Sequence, residues 1–355
     1  MATIAAHARY ANDVPFNGKA DVPDLRRWLC VAGCLTLSAC GGQQASSTDQ
    51  WNGPTVLASV SVDDAAASEP GAVKVIRTEH YTIYSTIQDR PDLLSRMGQL
   101  MEGAYGIYRT LAPTAPPTSY PMQCYLFNTR PEWMDFTRRH TGQDASVYLQ
   151  ISRGGYTLHD WYVAYYIGEI GTYSVSAHEG WHQFVGRHFK GRLPPFLEEG
   201  MACMFENVEW DNDLPRFNLS SNPARTQALR QAEDEGEMFP LKELVTLHAG
   251  QIVGRSEVRI AAWYAQDWAF ARFLREGENG KYRPALQRLL TDTAAGTVYD
   301  PTGSLRVRYL GWNPAGVIPL LEHYLGEDLS VTDQGYQQFM HKIAYEEMNE
   351  QFQLK

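Results

Sequence analysis

Ser176-Ala177-His178-Glu179-Gly180-Trp181-His182-Gln183-Phe184 and, shortly after it, Pro194-Pro195-Phe196-Leu197-Glu198-Glu199-Gly200-Met201-Ala202 decide how this chain reads. On a helix, positions i and i+4 share a face, so the His178 and His182 imidazoles can reach one divalent ion. Glu179 stands beside the first histidine, where its carboxylate can take a proton from water that such an ion has made acidic. Val175, Phe184 and Val185 give this helix apolar contacts that hold it in a core. The HExxH pattern also arises by chance, as two ordinary histidines on a helix, so the assignment turns on a third ligand.

Two residues compete for that role. Pro194 and Pro195 open a second helix and put Glu199 in its first turns. Glu199, Ala202, Cys203 and Glu206 then share one face. Small Ala202 and Cys203 let this helix approach the first, and Glu206 can orient His178 or His182 from behind. Acidic residues also favour a helix N-terminus on electrostatic grounds, which accounts for one of Glu198 and Glu199 without any metal. The rival is His188, which has the spacing of the third histidine in the HExxHxxGxxH metzincin site. That site needs a glycine three residues after the second histidine, for a sharp turn. Val185 stands there, β-branched and poorly suited to positive φ, and Gly186 comes one place late. Glu199 is the expected ligand, His188 the alternative.

HExxH followed by a Phe-Leu-x-Glu-Gly-x-Ala segment resembles the gluzincin metallopeptidases. The aminopeptidase and leukotriene-hydrolase branch, with Trp-Leu-x-Glu-Gly-x-Ala, is nearest, although the His182–Glu199 gap is slightly shorter here. The whole is similar to compact secreted bacterial members of the clan. The likeness is specific over Val175–Glu206 and diffuse from about Val75 to the C-terminus. It implies a thermolysin-like catalytic fold, with a small mixed sheet on the HExxH helix and a helical lobe after it. It also implies Zn²⁺ on His178, His182 and Glu199, with Glu179 as general base and then proton donor. Tyr264, in Ala262-Trp263-Tyr264-Ala265-Gln266-Asp267-Trp268, matches a tyrosine that donates to the oxyanion in this branch. Read by itself, it is one of 20 tyrosines, and Tyr264 and Trp268 at i and i+4 also make good helix packing. An edge strand at Ser152–Tyr156 would bind peptide backbone by strand addition, with Gly154 and Gly155 permitting close approach beside Tyr156. The Gly-x-Met-Glu-Asn exopeptidase element is absent, so endopeptidase action is expected over aminopeptidase action. His80, His140, His159, His248, His323 and His341 have no ligand-like spacing.

The chain is 44% hydrophobic and 20% charged, ordinary for a soluble globular protein. A formal charge of −10 with no basic run in the body argues against a nucleic-acid partner. Cys124 and Cys203 lie far apart and no CxxC pair exists, so a cysteine zinc site is not supported. They could pair in an exported protein, but two separate buried thiols are the simpler expectation.

Cys30, Cys34 and Cys40 belong to an N-terminal address. Arg26-Arg27 precede the apolar run Trp28–Ala39, which is too short to span a bilayer. Leu37-Ser38-Ala39-Cys40-Gly41 resembles the bacterial lipobox, which implies lipidation of Cys40 and attachment to a membrane. Gly41 after the cysteine resembles lipoproteins sorted to the outer membrane, facing the periplasm. Met1–Asp24 is an overlong leader carrying three aspartates, so translation is expected to start near Val22. Precursor peptides from residues 1–20 would refute that.

The expected organisation is a signal peptide over 1–40, a Ser/Ala/Gly/Asp-rich tether over 41–72 and one α+β domain over 73–355. Strands are predicted at Val75–Tyr84, Pro121–Phe127 and, as a strand or hairpin broken at Gly154-Gly155, Val147–Leu158. Helices are predicted after Pro91, over Pro131–His140, and almost continuously beyond Thr172. The expected function is a zinc-dependent peptidase of the cell envelope acting on peptide or protein substrates. The alternatives are a decayed peptidase that binds peptide or wall material without catalysis, and metal-dependent amide hydrolysis in the cell wall.

Overall fold

The computed structural model describes residues 51–66, 71–117, 120–158, 160–252, 254–302 and 313–346. The leader, Cys40, residues 41–50 and His159 lie outside them. In chain order the elements are β1 (Trp51–Asn52), β2 (Ser61–Asp64), β3 (Lys74–Arg77), β4 (Tyr81–Ser85), α1 (Pro91–Leu111), β5 (Met122–Phe127), α2 (Arg130–His140) and α3 (Ala145–Tyr148). There follow β6 (Gly155–Leu158), β7 (Trp161–Tyr165), α4 (Glu169–His188), α5 (Pro195–Cys203), β8 (Val208–Asp211) and β9 (Leu214–Asn218). The rest is helical: α6 (Pro223–Asp234), α7 (Leu241–Leu244), α8 (Ala249–Ile252), α9 (Glu257–Gly280), α10 (Arg283–Ala295), α11 (Pro314–Leu325) and α12 (Leu329–His341).

A six-stranded mixed sheet of order β2-β3-β4-β5-β7-β6 forms the middle layer, with β4–β5 and β5–β7 parallel and the other pairs antiparallel. Alternation along its strands divides the core. Ile83, Met122, Cys124, Leu126 and Tyr162 face α1 and α4, while Tyr125, Phe127, Tyr156, Val163 and Tyr165 pack with Trp133 and Phe136 of α2 on the other face. The α+β expectation is met, with a mixed sheet first and a helical lobe after it.

Helix α4 joins sheet to lobe. A Cβ on Gly180 would stand 2.8 Å from the Tyr108 hydroxyl, so a bare backbone lets α1 close on α4, and that hydroxyl donates to the Ala177 carbonyl at 2.5 Å. The lobe is organised around α9, whose residues from Ala262 to Leu274 are all buried, as befits a helix with partners on every side. Its contact with α5 is closer still: a Cβ on Gly200 would lie 2.2 Å from the Asp267 carbonyl oxygen. Glycine beside Glu199 is thus what seats α5 on α9.

Four expectations are corrected. Val75–Tyr84 is not one strand but the β3–β4 hairpin, turned at Thr78, whose amide bonds the Tyr81 carbonyl. The tether is strand-forming at Trp51–Asn52 and Ser61–Asp64, where β1 and β2 pair through backbone with side chains mostly exposed, so no buried period betrays them. Ala145–Tyr148 is a helical turn, leaving the strand to Gly155–Leu158. The region beyond Thr172 is interrupted by the β8–β9 hairpin, which with β1 makes a three-stranded sheet. Its turn at Asn212, with φ 55°, falls in Asp211-Asn212-Asp213, a turn signal readable in the sequence.

Candidate metal centre

Helix α4 is fixed in rotation by hydrogen bonds on its sheet side. Tyr162 donates to Ser176 Oγ at 2.6 Å, and Ser176 in turn donates to the Thr172 carbonyl. Gln183 donates to the carbonyls of Gln123 and Asp160. His178 and His182 are thereby turned towards α5, where Glu199 meets them. The two Nε2 atoms are 3.3 Å apart, and each is 3.4 Å from Glu199 Oε2. The three donors form a nearly equilateral triangle. A tetrahedral zinc with bonds of about 2.0–2.1 Å requires neighbouring ligand atoms about 3.3–3.5 Å apart, so the triangle has the right size for that ion.

The outer nitrogens agree. His178 Nδ1 bonds Glu206 Oε1 at 2.9 Å and His182 Nδ1 bonds Glu198 Oε1 at 3.1 Å. Carboxylates accept, so in the neutral rings each Nδ1 carries the proton and each Nε2 lone pair is aimed at Glu199 Oε2. Two lone pairs and a carboxylate oxygen at this spacing repel one another unless positive charge sits among them. Burial by itself would lower both imidazoles, but the facing glutamates win, raising His178 and lifting His182 well above its usual range. Glu199 responds in kind: burial opposes its charge, yet the two histidines hold it at about 2. The three buried side chains are a group that could hold a cation.

Glu179 is fully buried beside the triangle. Thr157 donates to its Oε2 at 3.0 Å, whereas its Oε1 has no hydrogen-bond partner. Burial raises its pKa above the usual carboxylate value. The Tyr264 hydroxyl on α9 is also buried without a partner, and its pKa is pushed well up by burial and then by the Glu199 charge. A buried unsatisfied polar atom costs about 1–3 kcal/mol. Glu179 Oε1 and the Tyr264 hydroxyl are two such atoms, both close enough to Glu199 to feel its charge, and a group bound there could satisfy them.

Glu206 does not lie on α5, which ends at Cys203, but it still backs His178. Glu198, assigned no site role from the sequence, backs His182; the signal was available, since a second ligand histidine would need its own acceptor. Thr157 and Arg225 carried no local signal. His188 is outside the converging donors: α4 runs on through Val185 without a turn, and His188 Nδ1 donates to the Pro116 carbonyl instead. The metzincin alternative is therefore set aside.

β6 is the edge strand of the larger sheet, yet Gly155, Tyr156, Thr157 and Leu158 are all buried. Gly155 is glycine because a Cβ would lie 2.8 Å from the Val163 carbonyl oxygen, and Gly154 because its φ is 132°. Tyr156 corrects the expectation of a substrate-facing side chain: its ring packs on Trp133 and Tyr148, on the sheet face away from α4, and its hydroxyl meets Thr137. Cys124 and Cys203 are separate buried thiols. Comparison with protein-family models, curated proteins and solved structures finds no match for this chain.

Proposed function

We propose that this chain is a zinc-dependent peptidase of the gluzincin type, an endopeptidase for peptide or protein substrates, exported and held in the cell envelope by a lipid on Cys40. The observation that carries the enzymatic part is the triangle of His178 Nε2, His182 Nε2 and Glu199 Oε2, with edges of 3.3 and 3.4 Å and both outer nitrogens backed by glutamate. The anchor rests on Leu37–Gly41 alone; among the described residues no helix is long and apolar enough to cross a membrane.

Zinc, when bound, supplies a Lewis acid that makes water acidic enough to yield a proton near neutral pH. Glu179 takes that proton on Oε1, the oxygen that Thr157 leaves free, and later delivers it to the departing amine. Its raised pKa suits both transfers. Tyr264, kept protonated by its raised pKa, donates its hydroxyl to the carbonyl oxygen as charge develops there. Glu198 and Glu206 hold the histidine rings still throughout.

One observation favours a second reading, a structural ion in a non-catalytic protein. His178, His182, Glu199, Glu179 and Tyr264 are at most 4% exposed, so a peptide reaches them only if a covering element moves. A digest of a broad peptide library, with a chelated control beside it, separates the two. Chelator-sensitive cleavage supports the peptidase. Stoichiometric zinc with no cleavage supports the structural ion. In the first case Glu179→Gln should keep zinc and lose about 10²–10⁴-fold in kcat. Tyr264→Phe should keep zinc and lose about 10²–10³-fold in kcat, and an unchanged rate in that variant would remove the phenol from the mechanism.

A further inference from the structure

Two sets of donors share His178: His178, His182 and Glu199 on one side, and His178, Cys203 and Glu206 on the other. By donor type the second is as good a zinc set as the first, a thiol, an imidazole and a carboxylate. Donor chemistry cannot decide between them. Arg225 can. It is 2% exposed on α6, and its Nη2 donates to Glu206 Oε1 at 2.5 Å while its Nε donates to Glu206 Oε2 at 2.9 Å. Asn222 Nδ2 adds a bond to Oε2 at 2.8 Å and another to the Cys203 carbonyl at 2.9 Å. Both oxygens of Glu206 are thus engaged, and a cation on that side would sit against a guanidinium. On the other side, among the described residues, no cationic side chain bonds Glu199 Oε2 apart from the two histidines.

We propose that Arg225 is a positioning residue for the metal centre: by gripping Glu206 it closes the His178–Cys203–Glu206 set and leaves the Nε2 face of His178 as the one that takes the ion. This rests on the zinc reading above. The guanidinium also lies 5.2 Å from the Tyr264 ring, so the same side chain forms part of the wall behind the phenol. Lysine would keep the charge there but not the two-pronged grip.

The test loads the full chain with Co²⁺ and reads absorption and affinity. The wild-type chain is expected to take one Co²⁺ with no thiolate-to-cobalt charge-transfer band. Arg225→Met should produce that band and weaken binding at the original set about 10–100-fold, and Cys203→Ser added to it should abolish the band. Arg225→Lys should fall between. A folded Arg225→Met protein with no thiolate band and wild-type affinity would overturn the role of Arg225 alone. A wild-type chain that takes up no Co²⁺ would overturn the metal reading itself. If Arg225→Met fails to fold, the zinc-loaded wild-type chain labelled with ¹⁵N-histidine carries the test. His178 is expected protonated at Nδ1 and metallated at Nε2, and metal at Nδ1 would overturn the proposal.

Discussion

Helix α4 carries three buried histidines whose surroundings differ sharply from one end to the other. His178 and His182 point their Nε2 atoms at one carboxylate oxygen and rest their Nδ1 atoms on two others. His188, at the C-terminal end, rests its Nδ1 on a backbone carbonyl, packs against Phe184 at a tilt and leaves its Nε2 without a hydrogen-bond partner. The electrostatics follow. Burial lowers His188, whereas Glu198, Glu199 and Glu206 overcome burial and raise the other two. Burial on a helix does not make a histidine a ligand. What sets His178 and His182 apart is the glutamates delivered by α5 and the turn after it.

The largest expected effect separates these two ends outright. His182→Ala should reduce bound zinc from one ion per chain to nearly none, while His188→Ala should leave it unchanged. Zinc content by elemental analysis checks both, and zinc loss in the His188 variant would erase the distinction. A smaller effect tests what backs the rings. Glu198→Gln keeps the size and an acceptor but removes the charge behind His182, so zinc affinity should fall about 10–100-fold with the fold intact. Competition against a chromophoric chelator measures it, and unchanged affinity would show Glu198 to be an ordinary acid at a helix start.

The smallest effect is in pH. A raised histidine pKa stabilises the folded metal-free chain below the unfolded value of 6.5, and that stability is lost as pH rises through the folded value. Zinc requires the unprotonated rings, so its stabilisation grows over the same range. The gap in Tm between zinc-loaded and metal-free protein should therefore widen from pH 6 upward, each kcal/mol being worth about 2–4 °C. A gap that is flat or narrows would break the link between the glutamates and the two histidines.

Much of this contrast was legible in the sequence. HExxH fixes which face two imidazoles share, and Val185 in place of glycine forbids the turn that would bring His188 round. Pro195 and Glu199 mark the second helix and the carboxylate that meets the two imidazoles. What could not be read is pairing at a distance. Arg225 meets Glu206 across the β8–β9 hairpin, and Thr157 meets Glu179 across β7 and the first half of α4; neither has a periodicity of its own. The small strands β1 and β2 escaped for a related reason, since they are held by backbone bonds and bury little. Tyr156 was misjudged because strand alternation gives two faces without saying which one meets α4.

The most direct check on the triangle is an anomalous difference map, recorded above the zinc absorption edge from crystals of the zinc-loaded chain. A single strong peak is expected, about 2.0–2.2 Å from His178 Nε2, His182 Nε2 and Glu199 Oε2. A peak beside Cys203 or His188 instead, or no peak at full zinc loading, would contradict the placement of the centre between α4 and α5.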